Sequence, residues 1–481
     1  MSRPIKVVEY TGTNNRDFFA TSAKNSQKLR PIKKVLVANR GEIAVRIIRT
    51  LKDMGIKSVA VFSSADKDSL HATIADEAIC IGPASVKDSY LNKIQIINAA
   101  IVTGADAIHP GFGFLSENPG FARMCEIYNI KFIGPTSRAM AMMGDKEVSK
   151  KMMKDAGIPV IEGSDGVVES LEEASRVVES LGLPVIIKAR SGGGGKGMRL
   201  VEDMSDLKRQ FDSARKEAEN AFGDSGVYIE KYIRSPRHIE VQLIADEHGN
   251  IVHLGARDCS LQMNHQKVIE EAPPEGIDQD ILDQLYETSI KAAKSVSYTS
   301  VGTIEYLLDK DGSYYFMEMN TRIQVEHPIT EMITGIDIVR DQVLVACQES
   351  LPYSQEDILI RGHAMECRVN AYDSNNNFLP SVGKIEGLNM PGGYGVRVDS
   401  AIYQGYEVLP FYDSMLAKVI SYGKDRDEAI RIMNRALEEL VIDGVKTNVG
   451  FNLKLINDPV FIENKHDTSY LERSIDDTRT L

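Results

Sequence analysis

The segment GTIEYLLDKDGSYYFMEMNTRIQVEHP, residues 302–328, constrains this chain more than any other. Two runs rich in β-branched and aromatic residues flank Asp311-Gly312, a dipeptide that favours a two-residue hairpin turn. Such a turn pairs Lys310 with Ser313 and, counting outward, Glu305 with Glu318. Their Cβ atoms then stand about 5 Å apart. Carboxylates opposed in this way repel each other unless something positive sits between them. Asn320 is two residues beyond Glu318 and shares its face. Two carboxylates and an amide oxygen suit Mg²⁺ bridging phosphates. Zinc would call for histidine or cysteine ligands, which are missing from this face. The period of two continues through Arg322, Gln324 and Glu326, a cation, an amide and a carboxylate able to hold and deprotonate a small oxyanion. A strand wetted on its polar face shows the same alternation.

A second segment, KARSGGGGKGMRL (188–200), places four consecutive glycines between Lys188 and Lys196, just after the apolar run PVIIK. Glycine lets successive backbone N–H groups converge on an anion, and ammonium groups suit phosphate oxygens. The pattern lacks the GKS/T of a Walker loop. In RHIEVQLIA (237–245), His238, Glu240 and Gln242 fall on one side of a strand. That side is either a buried polar face against a nucleotide or a solvated one.

The rest of the chain supplies the frame. KKVLVA (33–38) reads as a buried strand, followed by NRGE and a helix with Ile43, Ile47, Leu51 and Met54 on one face. SVAVFS (58–63) resumes as a strand, completing a βαβ unit. Its first turn has no GxGxxG, which excludes the NAD fingerprint there. A helix ends near Gly157 and Pro159, and a β/α block runs to about 233. Antiparallel hairpins follow, with helices near 278–297 and within RDEAIRIMNRALEEL. A net charge of −13 argues against DNA or an anionic membrane as main partner. No apolar run approaches the roughly 20 residues of a membrane span. The five cysteines are scattered without a CxxC pair, which fits a reducing cytosol. Residues 1–33 mix basic and acidic residues without an apolar core, as in a docked or frayed arm; a mitochondrial presequence is the alternative reading.

With these residues assembled, the chain resembles biotin carboxylase, a member of the ATP-grasp enzymes. The resemblance covers about residues 34–475 and rests on blocks in the family's order: VLVANRGEIAVRIIR, HPGFGFLSEN, MGDK, VIIKARSGGGGKGMR, RDCS, HQKVIEEAP, FMEMNTRIQVEHPITEMITG, RGHAMECRVNA and FYDSMLAKVI. It implies a mixed α/β and α+β architecture in four parts. An arm (1–33) precedes a Rossmann-like βαβ domain (34–147). A mobile lid carrying the glycine loop (148–233) and a C-terminal antiparallel-sheet domain (234–481) follow.

The resemblance also implies roles. ATP lies between lid and body, with Lys146, Lys188 and His238 on phosphates or ribose. Gly193, Gly194 and Gly195 close over the phosphates, and Gln262 and His265 belong to the same nucleotide site. Glu230, Lys231 and Ile233 border the adenine, and Met198 packs on it. Glu305, Glu318 and Asn320 hold Mg²⁺ or Mn²⁺. Lys267, Arg322, Gln324 and the backbone of Val325 hold bicarbonate, and Glu326 deprotonates it for attack on the γ-phosphate. The carboxyphosphate so formed gives CO₂ and phosphate, the phosphate deprotonates biotin, and Arg368 stabilises the resulting enolate charge. Biotin is expected on a separate biotin carboxyl carrier protein, because KKMMK (150–154) reads as helix and no other MKM-like site appears. A separate carboxyltransferase subunit would complete the reaction. A homodimer is implied through Arg46 and Arg397, and a cytoplasmic location is expected.

Five positions stand out against the family. Ala256 stands where it has glutamate, and Met263 and Asn264 where it has arginines, consistent with loss of one mutual ion-pair network. Phe112 replaces a tyrosine near the expected biotin pocket, and Arg190 stands out within the glycine loop. Two competing readings are another ATP-grasp ligase joining a carboxylate to an amine, which the RIQVEHP and RGHAMECR blocks oppose, and a nucleotide-binding subunit without turnover. The final carboxyl acceptor stays open among acetyl-CoA, propionyl-CoA and pyruvate.

Overall fold

The computed structural model describes residues 32–190, 198–263, 266–374 and 376–479. Gly193, Gly194, Gly195, Lys196, Asn264 and His265, and all but the end of the N-terminal arm, lie outside the described residues.

The strand Lys34–Val37 is apolar because both faces of its sheet are covered; Val35, Leu36 and Val37 are fully buried. It lies between Lys57–Phe62 and Ala107–His109 in a five-stranded parallel sheet, with Glu77–Cys80 and Lys131–Phe132 at the edges. The helix Gly41–Asp53 buries Ile43, Ile47 and Leu51 against it, the face expected from their spacing. At the carboxyl end of the first strand, Asn39 donates from Nδ2 to the carbonyls of Pro110 and Phe112, 2.7 Å each. This ties together the two loops that open onto the cavity described below, the usual place for a ligand in such a sheet.

Eight antiparallel strands form the second layer. In spatial order they are Tyr314–Asn320, Ser300–Leu308, Arg237–Ala245, Ile251–Met263, Gln266–Ala272, His363–Asn370, Met415–Gly423 and Val396–Ser400. The helix Gln279–Ser295 covers one end with Leu282, Leu285, Ala292 and Ala293. The helix Arg426–Glu439 covers the other with Ala429, Met433 and Ala436, each fully buried.

A third, smaller unit is the sheet of Met198–Val201, Val185–Ala189 and Val227–Lys231, all antiparallel. The helices Leu171–Leu181 and Leu207–Phe222 back it. Its core of Val185, Ile187, Phe211, Val227 and Ile229 is separate from the others, so it can move as a body. The glycine segment joins Val185–Ala189 to Met198–Val201, where Lys188 and Met198 are direct partners.

Two expectations need correction. Glu305 and Glu318 do pair, but the two-residue Asp311–Gly312 turn does not form. Asp309 bonds Ser313 instead, closing a three-residue loop with Gly312 in the left-handed region at φ 88°. That loop alone would put Glu305 one position out of step. A bulge at Met317, between the pairs Tyr306–Phe316 and Glu305–Glu318, restores the facing carboxylates.

The second correction concerns the altered segment. Ala256 lies in the core under the helix Gln279–Ser295, while Met263 packs on the core of the C-terminal domain. Seven positions along one strand separate them by roughly 20 Å. At that distance Ala256 and Met263 do not meet, so these two changes are separate packing events.

Candidate active site

A cavity of about 1580 Å³ lies where the lid meets the two larger sheets. The lid contributes Lys188, Met198 and Glu230. The antiparallel layer contributes His238, Gln262, Lys267, Glu305, Glu318, Asn320 and Arg368. The segment after the carboxylate hairpin contributes Arg322, Gln324, Val325 and Glu326, and the start of the helix Lys146–Asp155 contributes Lys146. Lys231 and Ile233 do not line it. The Lys231 ammonium is held by the carbonyls of Leu181, Gly182 and Leu183 at 3.0–3.3 Å, so that side chain is directed away from the cavity.

At the lid end, Glu230 accepts from Lys188 (2.6 Å) and Lys150 (2.9 Å). Burial raises the Glu230 carboxyl, but Lys188 and then Lys150 outweigh it and hold it at about 2. This carboxylate therefore keeps two ammonium groups converged near the glycine segment.

In the middle, Glu305 is the hub. Its Oε1 accepts from Asn320 Nδ2 (2.8 Å), Gln324 Nε2 (3.0 Å) and Lys267 Nζ (3.2 Å), and its Oε2 lies 3.2 Å from His238 Nε2. Against burial, Lys267 and then His238 hold Glu305 well below the carboxylate range. Burial, and then Glu305 opposite, instead raise Glu318. A divalent cation between the two would reverse that repulsion. The donor set of two carboxylates and the Asn320 amide is hard oxygen, and it fits Mg²⁺. Burial lowers the His238 imidazole, but Glu305 and Glu240 outweigh it and raise it to about 9. The two carboxylates thus favour the protonated ring.

At the inner end, Lys267 donates to Glu326 (2.6 Å), to Gln324 (3.4 Å) and to Glu240. Glu326 is fully buried and also accepts from Arg368 at 3.0 Å. Arg322 is aimed by Glu117 (2.8 Å) and by Asn320 Oδ1 (2.8 Å). Lysine, arginine, amide and carboxylate thus converge within hydrogen-bond reach of one another, an arrangement able to hold a small anion next to a carboxylate.

Sequence reasoning missed several of these partners. Glu240 and Gln242 are fully buried, which resolves the open reading of RHIEVQLIA in favour of a buried polar face. Gln242 accepts from Arg257 rather than facing the cavity. Lys150, Glu117 and Lys418 were not anticipated. Lys418 is fully buried and donates to the Val325 carbonyl at 2.8 Å. Its only sequence signal was a lysine inside an apolar strand. Phe112 faces this same region, its ring centroid 5.9 Å from Lys418 Nζ. Arg190 is half-exposed and paired with Asp224, which explains no function. Among the described residues, no helix is long and apolar enough to cross a membrane.

Three family descriptions match the chain in order: "Biotin carboxylase, N-terminal domain" over residues 31–140, "Carbamoyl-phosphate synthase L chain, ATP binding domain" over 145–354, and "Biotin carboxylase C-terminal domain" over 366–473. Biotin carboxylase 1 of Bacillus subtilis (strain 168) is 53% identical over 442 residues, 92% of this chain and 98% of that protein. The fold is similar to that of Campylobacter jejuni biotin carboxylase, solved as a β,γ-ATP complex. There the TM-score is 0.89 at 51% identity, covering 92% of this chain and 99% of that one. The biotin carboxylase domain dimer of Hydrogenobacter thermophilus 2-oxoglutarate carboxylase, solved with MgADP, ADP and bicarbonate, gives a TM-score of 0.88 at 47% identity. That match covers 92% of this chain and 98% of the other.

Proposed function

The chain belongs to the biotin carboxylase family, and on that premise we propose that it uses MgATP and bicarbonate to carboxylate biotin carried on another protein. The observation that best supports this reading is the convergence of Lys267, Gln324, Glu326 and Arg368 directly beside the facing pair Glu305–Glu318.

Lys188, Lys146 and His238 bind the phosphates, with Gln262 holding the His238 ring through its 2.7 Å contact to Nδ1. Glu230 and Met198 border the adenine. Glu305, Glu318 and Asn320 would hold Mg²⁺, which when bound would supply charge neutralisation for an anion approaching the γ-phosphate. Lys267, Arg322, Gln324 and the Val325 backbone orient bicarbonate. Glu326 takes its proton. Before substrate arrives, Lys267 and Arg368 hold Glu326 ionised against its burial. A bicarbonate that draws Lys267 toward itself weakens that hold and makes Glu326 the stronger base. The bicarbonate oxygen attacks phosphorus, ADP leaves, and carboxyphosphate forms. Its breakdown releases CO₂ next to biotin, and the phosphate takes the ureido N–H proton. Arg368 stabilises the enolate charge. Closure of the lid keeps water from hydrolysing carboxyphosphate.

We assign the domains as 34–147, 148–233 and 234–481. A biotin carboxyl carrier protein and a carboxyltransferase subunit complete the cycle, and the latter chooses the final acceptor. The functional unit is a homodimer, for which Arg46 and Arg397 are ordered by a shared contact to Glu331, at 2.8 and 2.7 Å. A cytoplasmic location accords with five cysteines that form no disulfide in the structure. The test is phosphate release from ATP with free biotin, with and without bicarbonate. Release that depends on bicarbonate supports the assignment. Equal rates contradict it, and no release under either condition favours a nucleotide-binding subunit without turnover.

A further inference from the structure

Behind Arg368 lies a feature that the chemistry above does not use. Glu270, on the strand Gln266–Ala272, and Glu366, on His363–Asn370, are direct cross-strand partners. Both are fully buried. Opposed residues share a face, with Cβ atoms about 5 Å apart. Glu270 Oε1 accepts from Arg368 Nε at 2.5 Å. Among the described residues, its Oε2 has no hydrogen-bond partner, and neither does either oxygen of Glu366. A buried ionised carboxylate without a hydrogen bond is strongly disfavoured; the group neutralises instead.

The charged groups facing the pair are few. Arg368 follows Glu366 on the same strand, and Lys418 is the cross-strand partner of Arg368. Lys267 lies on the strand of Glu270, and Glu326 bonds the other side of Arg368. If Glu270, Glu326 and Glu366 were all ionised, three carboxylates would surround the single guanidinium. Its positive field toward a developing oxyanion would be cancelled.

We infer that Glu366 keeps its proton in the working enzyme and shares it with Glu270, so that the pair positions Arg368 while presenting only one negative charge. The free Oε2 of Glu270 is the acceptor for that proton. Glu366 is thus a positioning residue, acting on biotin only through Glu270 and Arg368, and its kinetic role rests on the proposed carboxylation. Burial pushes Glu270 up to about 7 against the pull of Arg368, and it lifts Glu366 well above the carboxylate range against that of Lys418.

Infrared difference spectroscopy between the wild type and Glu366→Gln, at about pH 8 where unpaired carboxyls are ionised, reads the proton directly. The wild type should show the carbonyl stretch of a protonated carboxyl that the variant lacks. No such band in wild-type protein, followed alone across pH, would overturn the inference whether or not the variant folds. In steady-state kinetics Glu366→Gln, which mimics the protonated acid, should keep biotin-dependent kcat within about threefold. Glu270→Gln should lower it more than tenfold and raise KM for biotin, because Arg368 loses its anchor. A loss of about a hundredfold or more in correctly folded Glu366→Gln would mean that the ionised form is required, against the inference. The infrared band does not depend on turnover, so an enzyme that fails to carboxylate biotin would leave the proton assignment intact.

Discussion

Lys418 carries a charge into the buried interior. Its ammonium bonds the Val325 carbonyl at 2.8 Å and lies 3.1 Å from Glu42 Oε1, close enough to pair though not aligned as a hydrogen bond. Lys418→Met leaves Glu42 buried without its counter-charge, which should cost about 3–5 kcal/mol in chemical denaturation. Adding Glu42→Gln should recover part of that. An unchanged midpoint in the single variant would show that the pair does not matter. Glu230 gives a pH test. Its folded value of about 2 lies below the ordinary 4.5, so its ion pairs stabilise fully above 4.5 and that contribution fades as pH falls toward 2. The stability difference between wild type and Glu230→Gln should therefore be level at neutral pH and shrink below about 4.5. A difference that grew on acidification would refute the assignment. Arg322, Gln324 and Glu326 were picked out by their alternation, although the strand ends at Asn320 and they reach the cavity from a loop rather than a strand face. Glu270, Glu366 and Lys418 were not picked out. Which acid faces which cation depends on pairing between strands about 50 to 100 residues apart, and no local period carries that.

At the scale of elements, the carboxylate hairpin was read correctly for the wrong reason. Asp311-Gly312 signalled a turn, but the loop took three residues and a bulge at Met317 compensated. Turn dipeptides report where a chain reverses, whereas register answers to the whole face that must be buried. Here that face holds Glu305 and Asn320 toward Lys267 and Arg322. The helices Gly41–Asp53 and Arg426–Glu439 followed their apolar periodicity because one stripe of each faces a sheet. The strand Ile251–Met263 carries the family departures. Ala256→Glu places a carboxylate in an apolar core and should cost more than the roughly 1–3 kcal/mol of a neutral polar group there. Adding Met263→Arg should not rescue it, since the sites share no contact. Their double-mutant cycle should close within about 0.5 kcal/mol. A coupling of several times that would restore the idea of one lost network.

At the scale of the molecule, three bodies converge on one cavity, and each supplies what the others lack. The parallel sheet presents its carboxyl-end loops, the antiparallel layer presents buried acids and cations, and the lid presents Lys188 and Glu230. The order of these bodies was legible from motif order and from the switch between helical and strand periodicity. The position of the lid over the cavity was not, because it is set by packing between separate cores. The central claim is that bicarbonate is activated by phosphorylation in this cavity. Turnover with ¹⁸O-labelled bicarbonate in unlabelled water tests it most directly. The attacking oxygen stays on phosphorus when carboxyphosphate loses CO₂, so the phosphate released should carry one bicarbonate oxygen. Phosphate carrying none, with its new oxygen drawn from water instead, would contradict the account.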